Sequence, residues 1–188
     1  MRCFVALVPA RSLVDALAGW GDEALGSLEW ARPIPRGSLH MTLAFLGEIE
    51  ADAAGRAGEV VRAIEARQVD VRLEAEVVGV PARRPRVLAF AGRGGEVEGL
   101  QDAVAGALAD AGVHEPERRP FWPHVSVARV RRSSLGGGDV STAIAALPSL
   151  GGEALQPGPA ERLVLYRSHL GAGRARYEAL AELALPGG

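Results

Sequence analysis

Two stretches decide how this chain is read: Leu39-His40-Met41-Thr42-Leu43-Ala44-Phe45-Leu46-Gly47 and Pro120-Phe121-Trp122-Pro123-His124-Val125-Ser126-Val127-Ala128-Arg129. Each contains histidine, apolar, hydroxyl, apolar, in that order. On a β-strand, side chains at i and i+2 share a face. His40 and Thr42 therefore point one way and Met41 and Leu43 the other. His124 and Ser126 do the same, with Val125 and Val127 opposite. Each strand turns one side to a core and offers an imidazole and a hydroxyl on the other. The chain has only 4 histidines and 11 Ser and Thr among 188 residues, so the recurrence stands well above chance.

Working outward, the surroundings repeat as well. Arg2 opens an apolar strand running to Val8, and His40 lies 38 residues later; Arg86 opens another, running to Ala91, and His124 lies 38 residues later. Between them the pattern predicts a helix from Ser12 to about Leu28, with Ser12 as N-cap. A loop follows at Pro33 and Pro35, and the Leu39–Leu46 strand closes at Gly47. A helix over 53–66 precedes an alternating strand from Val69 to Val80. The second half gives a helix over 97–111, a strand His124–Val130 and a weaker helix over 140–146. Pro157-Gly158-Pro159 breaks the chain. Leu163–Ser168 and Tyr177–Leu185 read as final strands joined at Gly171–Gly173. Both halves read strand, helix, loop, strand, helix, strand, which predicts a duplicated α+β unit with an approximate two-fold relation.

Composition narrows the function. Net charge is −2, so any affinity for phosphates must be local. All 21 basic residues are arginine, which excludes Schiff-base, Walker-A and lysyl-adenylate chemistry. Cys3 is the one cysteine; it reads as a buried structural thiol and rules out an internal disulfide or a multi-cysteine zinc site. The run Cys3–Val8 is too short for a signal-peptide core and no stretch reaches the roughly 20 apolar residues of a membrane span. A cytoplasmic monomer without membrane partners is expected.

Two imidazoles with two hydroxyls suit acid–base phosphoryl transfer. One neutral histidine takes a proton from water and one protonated histidine gives a proton to the leaving oxygen. The hydroxyls and nearby arginines hold phosphate oxygens. No metal or other cofactor is called for.

These motifs resemble those of the 2H phosphoesterase superfamily, and more narrowly the RNA 2′,3′-cyclic phosphodiesterases, historically called 2′-5′ RNA ligases. The opening Met1–Leu7, both motif stretches, Leu165-Tyr166-Arg167-Ser168 and Tyr177 carry the resemblance, which covers nearly the whole chain. It implies an α+β fold, bilobal, with two antiparallel sheets flanking a central cleft and helices outside. The chain is then one bilobal domain over 1–188, with repeat halves 1–80 and 81–188. The resemblance also implies hydrolysis of an RNA 2′,3′-cyclic phosphate end to a 2′-phosphate. His40 would be the proton donor and His124 the proton acceptor, with Thr42 and Ser126 binding the phosphate. Ser126 stands where the family more often has Thr, which keeps the hydroxyl and loses only the methyl. The family also places an arginine near the phosphate at the position of Arg129. Strict alternation from His124 turns residue 129 to the opposite face, so it reaches the cleft only through twist or a β-bulge.

Arg118, Arg119, Arg129, Arg131 and Arg132 form one basic stretch without acids, and Arg83, Arg84, Arg86 and Arg93 another. Either is an RNA-facing rim or a solubilising loop. Arg118, Arg119, Phe121 and Trp122 are candidate RNA contacts; the two aromatics also fit a core role. His114, in an acidic turn, reads as exposed and His169 as incidental. Three other readings stay open. The same site could act on a small cyclic nucleotide or a 2′-5′-linked oligonucleotide. The chain could be a non-catalytic module that binds RNA ends. It could be a di-histidine metal hydrolase, although neither motif has the carboxylate or third histidine such sites usually need.

Overall fold

The structure, a computed structural model, describes residues 1–115, 117, 119–131, 140–169 and 176–187. Among them run eight strands: β1 Arg2–Pro9, β2 Ala31–Pro33, β3 Met41–Glu48, β4 Asp70–Val80, β5 Val87–Arg93, β6 His124–Val130, β7 Gly158–His169 and β8 Arg176–Ala184. The helices are α1 Arg11–Leu25, α2 Ala51–Ala63, α3 Gly95–Asp110 and α4 Val140–Ala145. The turn expected at Gly171–Gly173 lies outside the described residues, as do Arg118 and Arg132.

All strand pairings are antiparallel and the order is β1-β3-β6-β5-β4-β7-β8, with β2 on β6 and a further β1–β7 pairing. The α+β class is as expected. The two expected sheets, however, are hydrogen-bonded into one. One seam is the pair Met41↔Val125 between β3 and β6, and the other joins Asp70 and Val71 of β4 to Pro159 and Gly158 of β7. Joining them gives strand edges the partners that an open edge lacks. The pairing also exchanges strands between the sequence halves. β4, from the first half, pairs along β5; β7, from the second, pairs along β1.

The core follows from alternation. Cys3, Val5 and Leu7 of β1, Met41 and Leu43 of β3 and Val125 and Val127 of β6 join one apolar cluster with Leu13, Leu17 and Trp20 of α1, Val61 of α2 and Leu100, Val104 and Leu108 of α3. Phe4 and Ala6 are buried too, yet lie outside that cluster, on the sheet's other face. β1 is thus apolar on both sides, as befits a strand flanked by β3 and β7. Burial pushes the Cys3 thiol pKa up, in keeping with a structural residue.

Three local expectations differ. Helix α1 is capped at Ala10, with no side-chain cap from Ser12. The Glu161 carboxylate of β7 accepts the Arg11 backbone N–H at 2.8 Å, so a remote residue supplies the acceptor a local Ser would have given. The Pro33 region holds the three-residue strand β2, paired to the end of β6. Pro157-Gly158-Pro159 does not merely break the chain, because Gly158 begins β7. No helix among the described residues is long and apolar enough to cross a membrane.

Candidate active site

The seam between β3 and β6 assembles the site. With Met41 opposite Val125, antiparallel counting sets His40 opposite Ser126 and Thr42 opposite His124. The four side chains form a square on the face away from the helices. The histidines occupy one diagonal, roughly 7–8 Å apart at the backbone, and the hydroxyls the other. His40, Thr42 and Ser126 line a cleft of ≈ 280 Å³ with Arg2, Phe4, Phe45, Ser168, Tyr177 and Arg129.

Each strand then carries the same irregularity. In β3, Thr42 faces Ala6 and Ala44 faces Val5, so Leu43 is the extra residue of a bulge. In β6, Ser126 faces Ala89 and Ala128 faces Leu88, so Val127 is the extra residue. The bulge buries two consecutive residues, Leu43 with Ala44 and Val127 with Ala128. It also turns the residue three beyond each hydroxyl back to the cleft. That residue is Phe45 in one half and Arg129 in the other. Arg129 therefore faces the cleft by the device its sequence position required. The Val127 carbonyl accepts the Ile34 N–H at 2.8 Å, so the bulged backbone is satisfied. An alanine faces the hydroxyl in both halves, leaving room above it.

The two imidazoles are held alike. His40 Nδ1 lies 2.8 Å from the Ser38 carbonyl and His124 Nδ1 2.9 Å from the Trp122 carbonyl, each two residues upstream. A carbonyl only accepts, so each Nδ1 carries the hydrogen and donates it. Nε2 is left for chemistry in both rings. Their surroundings differ. Phe4 stacks on His40 at 5.0 Å and Tyr177 meets it edge-on at 5.3 Å, with Tyr166 6.2 Å away. Burial in this box lowers the His40 pKa to about 4; the Ser38 carbonyl acts upward and nearby His124 downward. His124 has one stacked neighbour, Trp122, at 4.4 Å and 16°.

Of the remaining sequence candidates, Trp122 touches the square by stacking on His124. Phe121 is partly buried against the core, Trp122 is 39% exposed, and Arg119 is exposed. Arg93 pairs with Glu74 at 3.3 Å, and Arg83 and Arg84 are exposed. His114 is half-buried rather than exposed. His169 Nε2 lies 2.8 Å from a Glu178 carboxylate oxygen. No group of three or more His, Cys, Asp or Glu among the described residues is placed to hold a metal ion. The sequence reading missed Arg2, Phe4, Ser38 and Phe45 as cleft residues, and gave no site role to Ser168 and Tyr177. Ser168 and Tyr177 meet only through the β7–β8 pairing.

Comparison with known proteins agrees with this fold. No family model matches the chain. LigT of E. coli, in its complex with 3′-AMP, superposes with a TM-score of 0.73 over 98% of both chains at 24% identity. A protein of Thermus thermophilus does so with a TM-score of 0.76 over 100% of this chain and 99% of that one, at 22% identity. The chain thus has the fold of the LigT phosphoesterases. In sequence it is 34% identical over 98 residues to the RNA 2′,3′-cyclic phosphodiesterase of Aeropyrum pernix. That match spans 50% of this chain and about half, 54%, of the relative. The resemblance read from the paired motifs accords in fold with the LigT structures and, over half of the chain, in sequence with the Aeropyrum pernix relative.

Proposed function

We propose that this protein opens the 2′,3′-cyclic phosphate end of RNA to a 2′-phosphate, by acid–base catalysis between His40 and His124. One observation carries the reading: two imidazoles on the diagonal of a square, each with Nδ1 committed to a carbonyl, alternate with two hydroxyls, and His40, Thr42 and Ser126 of that square line one cleft. The name of the Aeropyrum pernix relative and the 3′-AMP held by E. coli LigT support the substrate class.

In this scheme His124 Nε2 takes a proton from water as its oxygen attacks phosphorus. The bond from phosphorus to the 3′-oxygen breaks, and His40 Nε2–H gives its proton to that oxygen. The products are a 2′-phosphate and a free 3′-hydroxyl, with one water consumed. Thr42, Ser126 and Arg129 hold the non-bridging oxygens as charge builds on them.

The setting of His40 adds a condition. Its pKa of about 4 leaves it neutral at pH 7 in the empty cleft. An anionic phosphate beside it favours the imidazolium and raises that value. A donor must be protonated, so activity falls as pH rises through its pKa. The limb of kcat/KM due to His40, which reports the free protein, should decline about tenfold per unit above pH 4. The corresponding limb of kcat, which reports the complex, should lie at higher pH. If His40 were instead the acceptor, its limb would run the other way, with activity rising through pH 4.

The direct test is a short RNA ending in a 2′,3′-cyclic phosphate, incubated with the protein and excess EDTA, with the 2′- and 3′-phosphate products resolved. A 2′-phosphate is expected. A 3′-phosphate would reverse the assignment of the leaving oxygen. No turnover by the folded protein, or turnover that EDTA abolishes, would overturn the reading.

A further inference from the structure

The two halves hold their imidazoles by different means. In the first, Ala6 faces Thr42, and Phe4, two residues before it on β1, reaches across that alanine to stack on His40 at 5.0 Å. In the second, Ala89 faces Ser126, and the residue two before it on β5 is Val87. Register makes Val87 the counterpart of Phe4, and valine carries no ring. Ala91, directly opposite His124, adds only a methyl. The ring that lies on His124 comes instead from Trp122, at 4.4 Å and 16°.

The residue after Trp122 fixes its place. Pro123 is buried, and its carbonyl accepts the Gly92 N–H at 2.8 Å. A Cβ on Gly92 would lie 3.0 Å from the Pro123 Cβ, so the glycine makes room for the proline. A residue before proline is held to extended backbone. Trp122 therefore continues the alternation of β6 and shares the face of His124. Its carbonyl accepts the hydrogen on Nδ1 and its indole covers the imidazole plane. One residue thus fixes both the direction and the plane of the ring.

We propose that Trp122 is a positioning residue for His124. Its indole keeps the imidazole in one orientation, with Nε2 free to take the proton from water, and attracts the positive charge that His124 then acquires. The inference rests on the reading of His124 as the proton acceptor and deepens it. The face of an indole draws a cation within about 6 Å. That attraction is absent before proton transfer and present after it, so it acts on kcat and not on substrate binding. A base stacked on the exposed outer face of Trp122 would act on binding instead, and only for a substrate longer than one nucleotide.

Trp122→Ala removes the indole and keeps the carbonyl, so it isolates the ring. Its kcat should fall about tenfold, within the range of one cation–π contact, with KM within about twofold of the wild type. The loss should be the same on adenosine 2′,3′-cyclic phosphate and on a short RNA with that end. Trp122→Phe keeps a stacking ring and should regain most of the rate; Trp122→Leu, which has bulk without a π face, should not. A loss confined to the RNA, or one carried by KM, would overturn the proposal in favour of an RNA contact. An unchanged kcat in Trp122→Ala, or equal recovery with leucine and phenylalanine, would overturn it too. A second readout needs no turnover. Ring currents of a stacked indole should move the NMR signals of the His124 ring protons upfield, and the couplings that report its χ1 angle should show a single rotamer. Both features should be lost in Trp122→Ala. Couplings unchanged in that variant would mean that the imidazole is held without the indole, and the proposal would fall. If the wild type opens neither substrate, the functional reading falls and these couplings alone decide the positioning role.

Discussion

Alanine at either His40 or His124 is expected to lower kcat for ring opening by 10²- to 10⁴-fold, the range that a single positioned proton-transfer group supplies. The two losses should not add. Once one proton transfer is gone the other has little to act with, so the double variant should fall only slightly below the worse single one. Asparagine is a sharper substitution than alanine. Its amide can keep the donation to the Ser38 or Trp122 carbonyl that Nδ1 makes, while offering no basic Nε2. His40→Asn and His124→Asn should therefore melt close to the wild type and still lose the same activity. Single-turnover rates on a cyclic-phosphate RNA, set beside thermal melts, make the measurement. Near-wild-type turnover in either histidine variant would end the two-histidine mechanism.

The largest effect on the fold is expected from Phe90→Ala, at about 3–5 kcal/mol. Phe90 is fully buried, meets Trp20 edge-on at 4.8 Å and sits in register between Val77 and Val125. A native domain has only about 5–15 kcal/mol in hand, so this variant should be near the limit of folding. The melting point should fall by roughly 10 °C or more. Phe90→Leu fills most of the space and should cost well under half as much. Because Val125 lies between His124 and Ser126, the alanine variant should also lose catalytic rate at temperatures where it remains folded. Urea unfolding midpoints alongside kcat test both statements. A stability within about 1 kcal/mol of the wild type would mean the core closes over the gap.

How far the chain could be read from its sequence depended on the range of the cause. The strand His124–Val130 was legible to the residue, because alternation and flanking prolines are local signals. So was the pairing of each imidazole with a hydroxyl. The places of Phe45 and Arg129 were not, because a bulge exists only relative to a partner strand. The shift at Val127 becomes visible once Ser126 faces Ala89 and Ala128 faces Leu88. The cap of α1 failed for a similar reason, since Glu161 reaches Arg11 across 150 residues of sequence. His40 and His124 looked equivalent as text, and the aromatic box that separates them is built by Phe4, Tyr166 and Tyr177 from three other strands.

The exchange of β4 and β7 bears on how the molecule is made. One side of β1 is closed by β3, but Cys3 to Pro9 meet their other neighbours only at Ala160 to Arg167. During synthesis the first group of strands therefore waits, with an apolar edge open, until β7 at Gly158–His169 has left the ribosome. Such edges invite pairing with other chains. The many distant contacts also place this protein among the slow folders. The square of His40, Thr42, His124 and Ser126 lies on a seam where the two groups meet, so it cannot form before both groups are present.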